Sequence, residues 1–272
     1  RYPPLEEADL SYHQAIMADL QGMAQPGDAL VVLPPEQVYA LARFSDGSLP
    51  IYPLPAPGQT VSWVDLETLA ALGDTHDRIW IVQGDTGDLD PAATMDWWLA
   101  EHFYRAGSTW YGPLRLLLYA PDASSSESQP LHRSEATWQN SISLQGIRLD
   151  EEQLSLGGII RLDLVWQTSD PLAERYKLFL HLLNEEGALV TQRDTEPLSG
   201  WLPTTAWTLG EPIEDRLGLL LPQDLPAGRY SLIAGFYPAD GGDRIPVCCP
   251  EADFVHLAVV LVDDSHAEIR VD

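Results

Sequence analysis

The stretch from Trp166 to Arg244 decides the fold of the second half of the chain: WQTSDPLAERYKLFLHLLNEEGALVTQRDTEPLSGWLPTTAWTLGEPIEDRLGLLLPQDLPAGRYSLIAGFYPADGGDR. Residues 176–183 and 188–194 are rich in apolar and β-branched residues, and they flank the polar turn at 184–187, which ends in glycine. That arrangement is typical of a β-hairpin. Residues 229–237 alternate between apolar and polar or small side chains, as expected for a strand with one buried face. The stretch therefore predicts part of an antiparallel β-sandwich.

Further strands are predicted on both sides of this stretch. In residues 158–167, Ile160, Leu162, Leu164 and Trp166 fall in one phase, and polar side chains mostly fall in the other. Additional strand segments are 141–149, 215–221 and 254–262. About seven or eight short strands separated by turns are typical of a sandwich. We predict an immunoglobulin-like or jelly-roll-like β-sandwich over residues 137–272.

The first half of the chain has a different pattern. Short apolar runs such as Ala29–Leu33 alternate with helical segments, and Pro and Gly lie between them. This pattern predicts a three-layer α/β domain with a mainly parallel sheet, Rossmann-like, over residues 1–122. Residues 123–136 contain serines, prolines and charges without periodicity, and they are predicted to be the linker. Neither G-x-G-x-x-G nor a P-loop is present, so we expect no nucleotide and no cofactor here.

Charge and cysteine content exclude several classes of function. The net charge is −26, spread over both halves, which argues against nucleic acid as a partner because nucleic acid requires a basic surface. The two cysteines, Cys248 and Cys249, are adjacent and lack a CxxC partner, so neither a zinc site nor a disulfide framework is predicted. No apolar run approaches 18 residues. The chain starts at Arg1 and not at Met, and we interpret it as a soluble piece of a longer protein.

The second half resembles the C-terminal β-sandwich of bacterial multi-pass membrane glycosyltransferases of the dolichyl-phosphate-mannose/aminoarabinose-transferase type. The shared pattern covers about 80 of the 272 residues in order and spacing. The N-terminal half is similar, more weakly, to the α/β segment after the last transmembrane helix of those proteins, around Pro26-Gly27-Asp28. The residues that carry the pattern are Trp166, Phe179, His181, Leu182, Gln192, Asp194, Gly200, Pro203, Thr204, Trp207, Gly210, Glu211, Asp215, Leu221, Pro222, Leu225, Pro226, Gly228, Tyr230, Gly235, Tyr237, Arg244 and Pro246.

The resemblance implies a function without chemistry of its own. Enzymes of that type transfer a sugar from a lipid-phosphate donor, and their catalytic carboxylates lie in membrane-portion loops that this chain lacks. The chain is therefore expected to be a non-catalytic, extracytoplasmic accessory region, tethered through the transmembrane portion of the same polypeptide, that binds glycan or positions the acceptor. The alternative is a free-standing α/β enzyme, either a hydrolase or a nucleotide-sugar transferase.

Candidate ligand-binding residues lie in the Pro- and Gly-rich loop near the centre of the opening stretch. Trp201 and Trp207 offer flat apolar faces for a sugar ring, and Glu211 and Asp215 could accept hydrogen bonds from its hydroxyls. The competing interpretation for Trp207 is that it closes one end of the sandwich. His181 and Asp194 are weaker candidates for a metal site, against a histidine held by a carboxylate. Arg244 is expected to pair with Asp215 or Glu211.

Overall fold

The computed structural model describes residues 7–90, 93–122, 129–248 and 252–271. The chain divides into two compact units. The first comprises the described residues of 1–103 and 107–123, and the second comprises those of 104–106 and 124–272. Part of the predicted linker, residues 123–128, lies outside the described residues. The remainder of that segment includes a short strand, His132–Arg133.

The first unit is built on one five-stranded sheet. Its strand order is β2-β1-β3-β5-β4. The helices are α1 (Glu7–Met23), α2 (Val38–Leu41), α3 (Trp63–Gly73) and α4 (Thr94–His102); the strands are β1 (Ala29–Leu33), β2 (Ile51–Pro53), β3 (Ile79–Gln83), β4 (Phe103–Tyr111) and β5 (Leu114–Pro121). Residues 104–106 of β4 belong to the second unit.

The prediction of a three-layer α/β domain with a mainly parallel sheet is wrong. Strands β1, β2 and β3 are parallel, but β5 runs antiparallel to β3, and β4 lies beside β5 after a connection of only two residues. A connection that short cannot make the crossover that a parallel pair requires. The described part of the chain is mostly β, with 42% strand and 19% helix, and antiparallel pairs predominate in the three sheets that it forms.

Local sequence signals explain the elements of this unit. All five residues of β1 are buried, as the continuous apolar run requires. Helix α3 begins with a capping box in which Ser62 and Asp65 satisfy each other's backbone N–H groups. Helix α4 begins at Thr94, where the carboxylate of Asp90 accepts the backbone N–H groups of Thr94 and Met95 at 2.8 and 2.9 Å. Both helices pack against the sheet through residues such as Leu69 and Leu99.

The second unit is a β-sandwich, as predicted, and all its strand pairs are antiparallel. One sheet has six strands in the order β11-β10-β13-β14-β15-β8, and the other has four in the order β12-β9-β7-β6. The strands are β6 (His132–Arg133), β7 (Ile142–Leu149), β8 (Gln153–Ser155), β9 (Ile159–Thr168), β10 (Tyr176–Leu183), β11 (Leu189–Thr195), β12 (Ile213–Leu220), β13 (Gly228–Pro238), β14 (Val255–Val262) and β15 (His266–Val271).

The core of the sandwich contains the apolar phase of β7, β9, β10 and β12–β15. Trp138, Trp166 and Phe236 pack edge to face at its centre, with ring centroids 4.9–5.7 Å apart. Strand β11 belongs to the six-stranded sheet and β12 to the four-stranded sheet, so residues 196–212 cross from one sheet to the other. The predicted ligand-binding loop lies within this crossing. Among the described residues, no helix is both long and apolar enough to span a membrane.

Candidate functional site

The crossing begins with a tight loop, residues 196–202, which we call the Trp201 loop. It contains a 3₁₀ turn at Pro197–Gly200 and ends with Trp201 and Leu202. Its backbone closes on itself, since the N–H of Gly200 donates to the Glu196 carbonyl and the N–H of Trp201 donates to the Leu198 carbonyl, both at 3.1 Å. The side chain of Trp201 is 40% exposed. The loop therefore presents one large aromatic face to solvent.

Buried polar groups hold the Trp201 loop from below. The backbone N–H of Leu198 donates to Oδ1 of Asp215 at 2.8 Å, and Asp215 is completely buried. Arg193 on β11 donates to Oγ of Ser199 at 3.1 Å. Arg105, from the 104–106 segment of the same unit, contacts the Ser199 carbonyl at 3.5 Å and Oγ1 of Thr195 at 3.3 Å. A charged network inside the end of the sandwich thus fixes the loop.

The residues after Trp201 are also fixed. The side chain of Thr204 is fully buried; it accepts the backbone N–H of Tyr176 at 3.0 Å and donates to the Glu174 carbonyl at 2.8 Å. Trp207 packs in the sandwich core, and its Nε1–H donates to the Leu202 carbonyl at 3.2 Å. Trp201 is therefore an exposed side chain between two backbone segments that buried side chains hold in place.

The structure separates the four predicted ligand-binding residues. Trp201 and Glu211 are exposed, whereas Trp207 is only 7% exposed and Asp215 is 0% exposed. Neither of the buried side chains can touch a ligand on this surface. Trp207 closes the end of the sandwich, the competing interpretation given above, and Asp215 holds the loop. Contact with a ligand stays a prediction for Trp201 and Glu211.

Asp215 has unusual electrostatics. Burial raises its pKa to about 7, against the lowering effects of the Leu198 N–H and of the positive charges of Arg193 and Arg105. Nearby Asp163 acts in the same direction as burial. The carboxyl therefore exists in both protonation states near neutral pH. Groups with such shifted pKa values occur disproportionately at functional sites.

A second cluster occupies the outward face of the six-stranded sheet. Nε2 of His181 lies 3.1 Å from Oδ1 of Asp194, and the hydroxyl of Tyr237 donates to Oδ2 of the same carboxylate at 2.9 Å. Arg244 approaches Nδ1 of His181 at 3.5 Å and lies over the ring of Phe179. We call these five residues the outer cluster.

The outer cluster brings the two weak metal candidates together. Burial raises the pKa of Asp194, but the hydrogen bonds from His181 and Tyr237 outweigh burial and leave that pKa below its ordinary value. Both ring nitrogens of His181 face other side chains, and one of these is the Arg244 cation, which would repel a metal ion. Within the described part of the chain, no group of three or more His, Cys, Asp or Glu side chains is placed to hold a metal. The geometry is that of a histidine held by a carboxylate.

Arg244 is not placed as the sequence analysis expects. It pairs with neither Asp215 nor Glu211; its guanidinium lies over Phe179, and Nη1 is 3.4 Å from the Asp253 carboxylate. Arg193 and Arg105, which support the Trp201 loop, were not predicted from the sequence. The inward direction of Arg193 was predictable from the hairpin. Arg193 lies directly opposite Leu180, and paired residues of antiparallel strands point to the same face of the sheet, here the core face.

Several residues of the pattern named in the sequence have structural roles in this fold. Phe179, His181, Asp194, Tyr237 and Arg244 form the outer cluster, and Gly235 lies directly beneath the Phe179 ring. Three of the residues that fix the crossing are also pattern residues, namely Thr204, Trp207 and Asp215. Trp201 is not part of the pattern. The pattern thus describes how the sandwich is held together, and the exposed aromatic side chain is an addition to it.

Comparison with known proteins adds little. No family model and no curated protein sequence matches the chain. Among solved structures, it is similar to the β-glucuronidase of Bifidobacterium dentium in complex with coumarin-3-O-glucuronide, at 14% sequence identity and a TM-score of 0.23. The match covers 55% of this chain and only 20% of that enzyme's chain. So weak a likeness does not bear on function.

Proposed function

We propose that this chain is a non-catalytic accessory region of a membrane-embedded glycosyltransferase, and that its sandwich binds glycan through the Trp201 loop. The observation that carries the proposal is the placement of Trp201. Its indole is exposed, whereas the backbone on either side of it is fixed by buried groups. A flat apolar face held in one orientation is suited to stack on a sugar ring at little cost in conformational entropy.

The shared pattern supports the link to a glycosyltransferase. Its residues have consistent roles here, since they build the outer cluster and fix the crossing between the sheets. A similar pattern in proteins of that type is therefore consistent with a similar sandwich. In those enzymes the chemistry belongs to the membrane portion, so we assign the sandwich a binding or positioning role.

Charge favours certain sugars over others. The chain carries a net charge of −26, which repels anionic glycans at low salt. At the start of the Trp201 loop, the carboxylate of Glu196 is occupied by Arg175 through two hydrogen bonds of 2.8 Å. Exposed Glu211 is a candidate acceptor for sugar hydroxyl or ammonium groups. We therefore propose neutral or basic sugars as the ligand class.

Glycan titration of matched variants tests the proposal. Trp201→Ala should weaken binding of neutral oligosaccharides by about tenfold or more, because it removes the stacking face. The control is Trp97→Ala, since Trp97 is 46% exposed, close to the 40% of Trp201, but lies on α4 in the other unit. Glycans rich in uronic acid should bind more weakly than neutral ones.

The proposal fails if the parent protein and the Trp201→Ala variant bind all glycans equally. A second measurement addresses the alternative of a free-standing enzyme. The purified chain should turn over neither lipid-phosphate sugars nor nucleotide sugars nor glycosides. Turnover that survives Trp201→Ala would favour the enzyme alternative.

A further inference from the structure

The Trp201 loop rests on a carboxyl group whose hydrogen bonding is incomplete. Oδ1 of Asp215 accepts the Leu198 N–H, but Oδ2 has no hydrogen-bond partner among the described residues. A buried carboxylate with an unsatisfied oxygen is costly when charged and much less costly when protonated. The protonation state of Asp215 therefore affects the free energy of the closed loop.

The backbone above Asp215 is strained. Leu198 and Ser199 have φ angles of 49° and 60°, in the left-handed region that non-glycine residues rarely occupy, and Gly200 follows at 99°. Such conformations persist only where surrounding contacts enforce them. Here those contacts are the Leu198 bond to Asp215 and the bonds of Ser199 to Arg193 and Arg105. Weakening this support lowers the cost of leaving these backbone conformations.

Charged groups from each neighbouring element face Asp215. Arg193 comes from β11 and Arg105 from the 104–106 segment, and both favour the charged carboxylate; Asp163 on β9 opposes it. On β12 itself, Glu214 and Arg216 have the opposite phase to Asp215. Burial outweighs the two arginines, which gives the raised pKa described above.

We propose that the Trp201 loop is a pH-controlled element, in which loss of the Asp215 proton loosens the loop and uptake of the proton closes it. The direction follows from linkage. Opening the loop hydrates the carboxyl, so the open state binds its proton less tightly than the closed state does. The protonated carboxyl therefore stabilises the closed loop most strongly below the ordinary pKa of an aspartate. This stabilisation is lost as the pH rises through the pKa of about 7 that Asp215 has in the closed loop.

The inference rests on the proposed function in one respect: the loop would control how Trp201 is presented to glycan. A glycan that needs the fixed orientation of Trp201 would be held under mildly acidic conditions and released as the pH rises above neutral. The movement of the loop itself does not depend on any ligand. The two ideas can therefore be tested separately.

Amide hydrogen exchange over residues 196–202, without glycan, measures the loop directly. After correction for intrinsic exchange rates, protection of the Leu198 amide should fall by about tenfold or more between about pH 5.5 and about pH 8.5. Asp215→Asn keeps an oxygen that accepts the Leu198 N–H and mimics the protonated acid, so its protection should remain nearly constant over this range. Asp215→Ala removes the acceptor and should leave the loop poorly protected at both pH values.

Asp194→Asn is the matched control. It makes the same isosteric change on neighbouring β11, but that carboxylate bonds His181 and Tyr237 instead of the loop. It should show the pH dependence of the parent protein. Constant protection in the parent protein, or a pH dependence that survives Asp215→Asn, would overturn the inference. If the loop responds to pH but Trp201→Ala leaves glycan binding unchanged, only the proposed binding function is lost.

Discussion

The guanidinium of Arg244 lies 4.1 Å from the centre of the Phe179 ring, on the face of the sheet that points away from the sandwich core. Phe179 is nevertheless only 1% exposed. Tyr237 also packs near it, with ring centroids 6.5 Å apart, and the Gly235 backbone lies beneath it. One arginine therefore covers an aromatic ring that the alternation of β10 places outside the core.

Removal of this cover should destabilise the second unit. Arg244→Ala should lower the free energy of unfolding by about 1–2 kcal/mol, because the cation–π contact and the packing of the arginine stem are lost together. Arg244→Lys should recover only part of the loss, since an ammonium group cannot stack as a planar guanidinium does. Urea denaturation measures both variants. The control is Arg229→Ala, at an exposed position near the start of β13, which should change stability by less than about 0.5 kcal/mol; equal effects at both positions would contradict the prediction.

Gly235 should be intolerant of any side chain. A Cβ there would lie 2.5 Å from Cζ of Phe179 and 2.8 Å from the Asp253 carbonyl oxygen. Gly235→Ala should therefore cost about 1–3 kcal/mol, as overpacking of a filled site does. Gly228→Ala on the same strand is the comparison, because its Cβ would meet only ordinary contacts at 3.7 Å or more. Thermal unfolding should show a lower midpoint for the first variant alone.

Asp194 should make the stability of the sandwich depend on pH at the acidic end. Its pKa lies below the ordinary value, so the stability it contributes is present above about pH 3.9 and is lost as the pH falls through the folded value. The difference in unfolding free energy between the parent protein and Asp194→Asn should shrink as the pH falls from about 5.5 to about 3. At the higher pH the difference should be at most about 1 kcal/mol, because the site is partly solvated. Asp224→Asn, at an exposed loop position, should show no such change. A constant difference for Asp194→Asn would refute this role.

Local patterns were sufficient to predict the sandwich but not the first sheet. Alternation along residues 158–167 and 229–237 identifies β9 and β13, because a single buried face imposes a period of two. In the first unit, buried apolar runs correctly locate β1 and β3. The sheet is mixed because Phe103–Pro121 forms two long strands joined by two residues. The helical segment before this pair ends at His102, and β4 follows it directly at Phe103.

The candidate site was only partly accessible to sequence reasoning. Asp215 has the same phase along β12 as Ile213 and Leu217, which are core residues, so its burial could have been predicted. The different exposures of Trp201 and Trp207 could not, because they depend on where the crossing between the sheets packs. The left-handed backbone at Leu198 and Ser199 also has no sequence signal, since neither residue is a glycine, asparagine or aspartate.

Position 201 should tolerate substitution better than the neighbouring positions that hold the loop. The groups that hold the loop are the carboxyl of Asp215, the side chains of Thr204 and Trp207, and the guanidinium of Arg193; none of these hydrogen bonds involves the Trp201 indole. A substitution at 201 should therefore alter what the surface presents while the loop keeps its conformation. Randomising this single codon would provide a set of sandwiches that differ in ligand preference but share one scaffold.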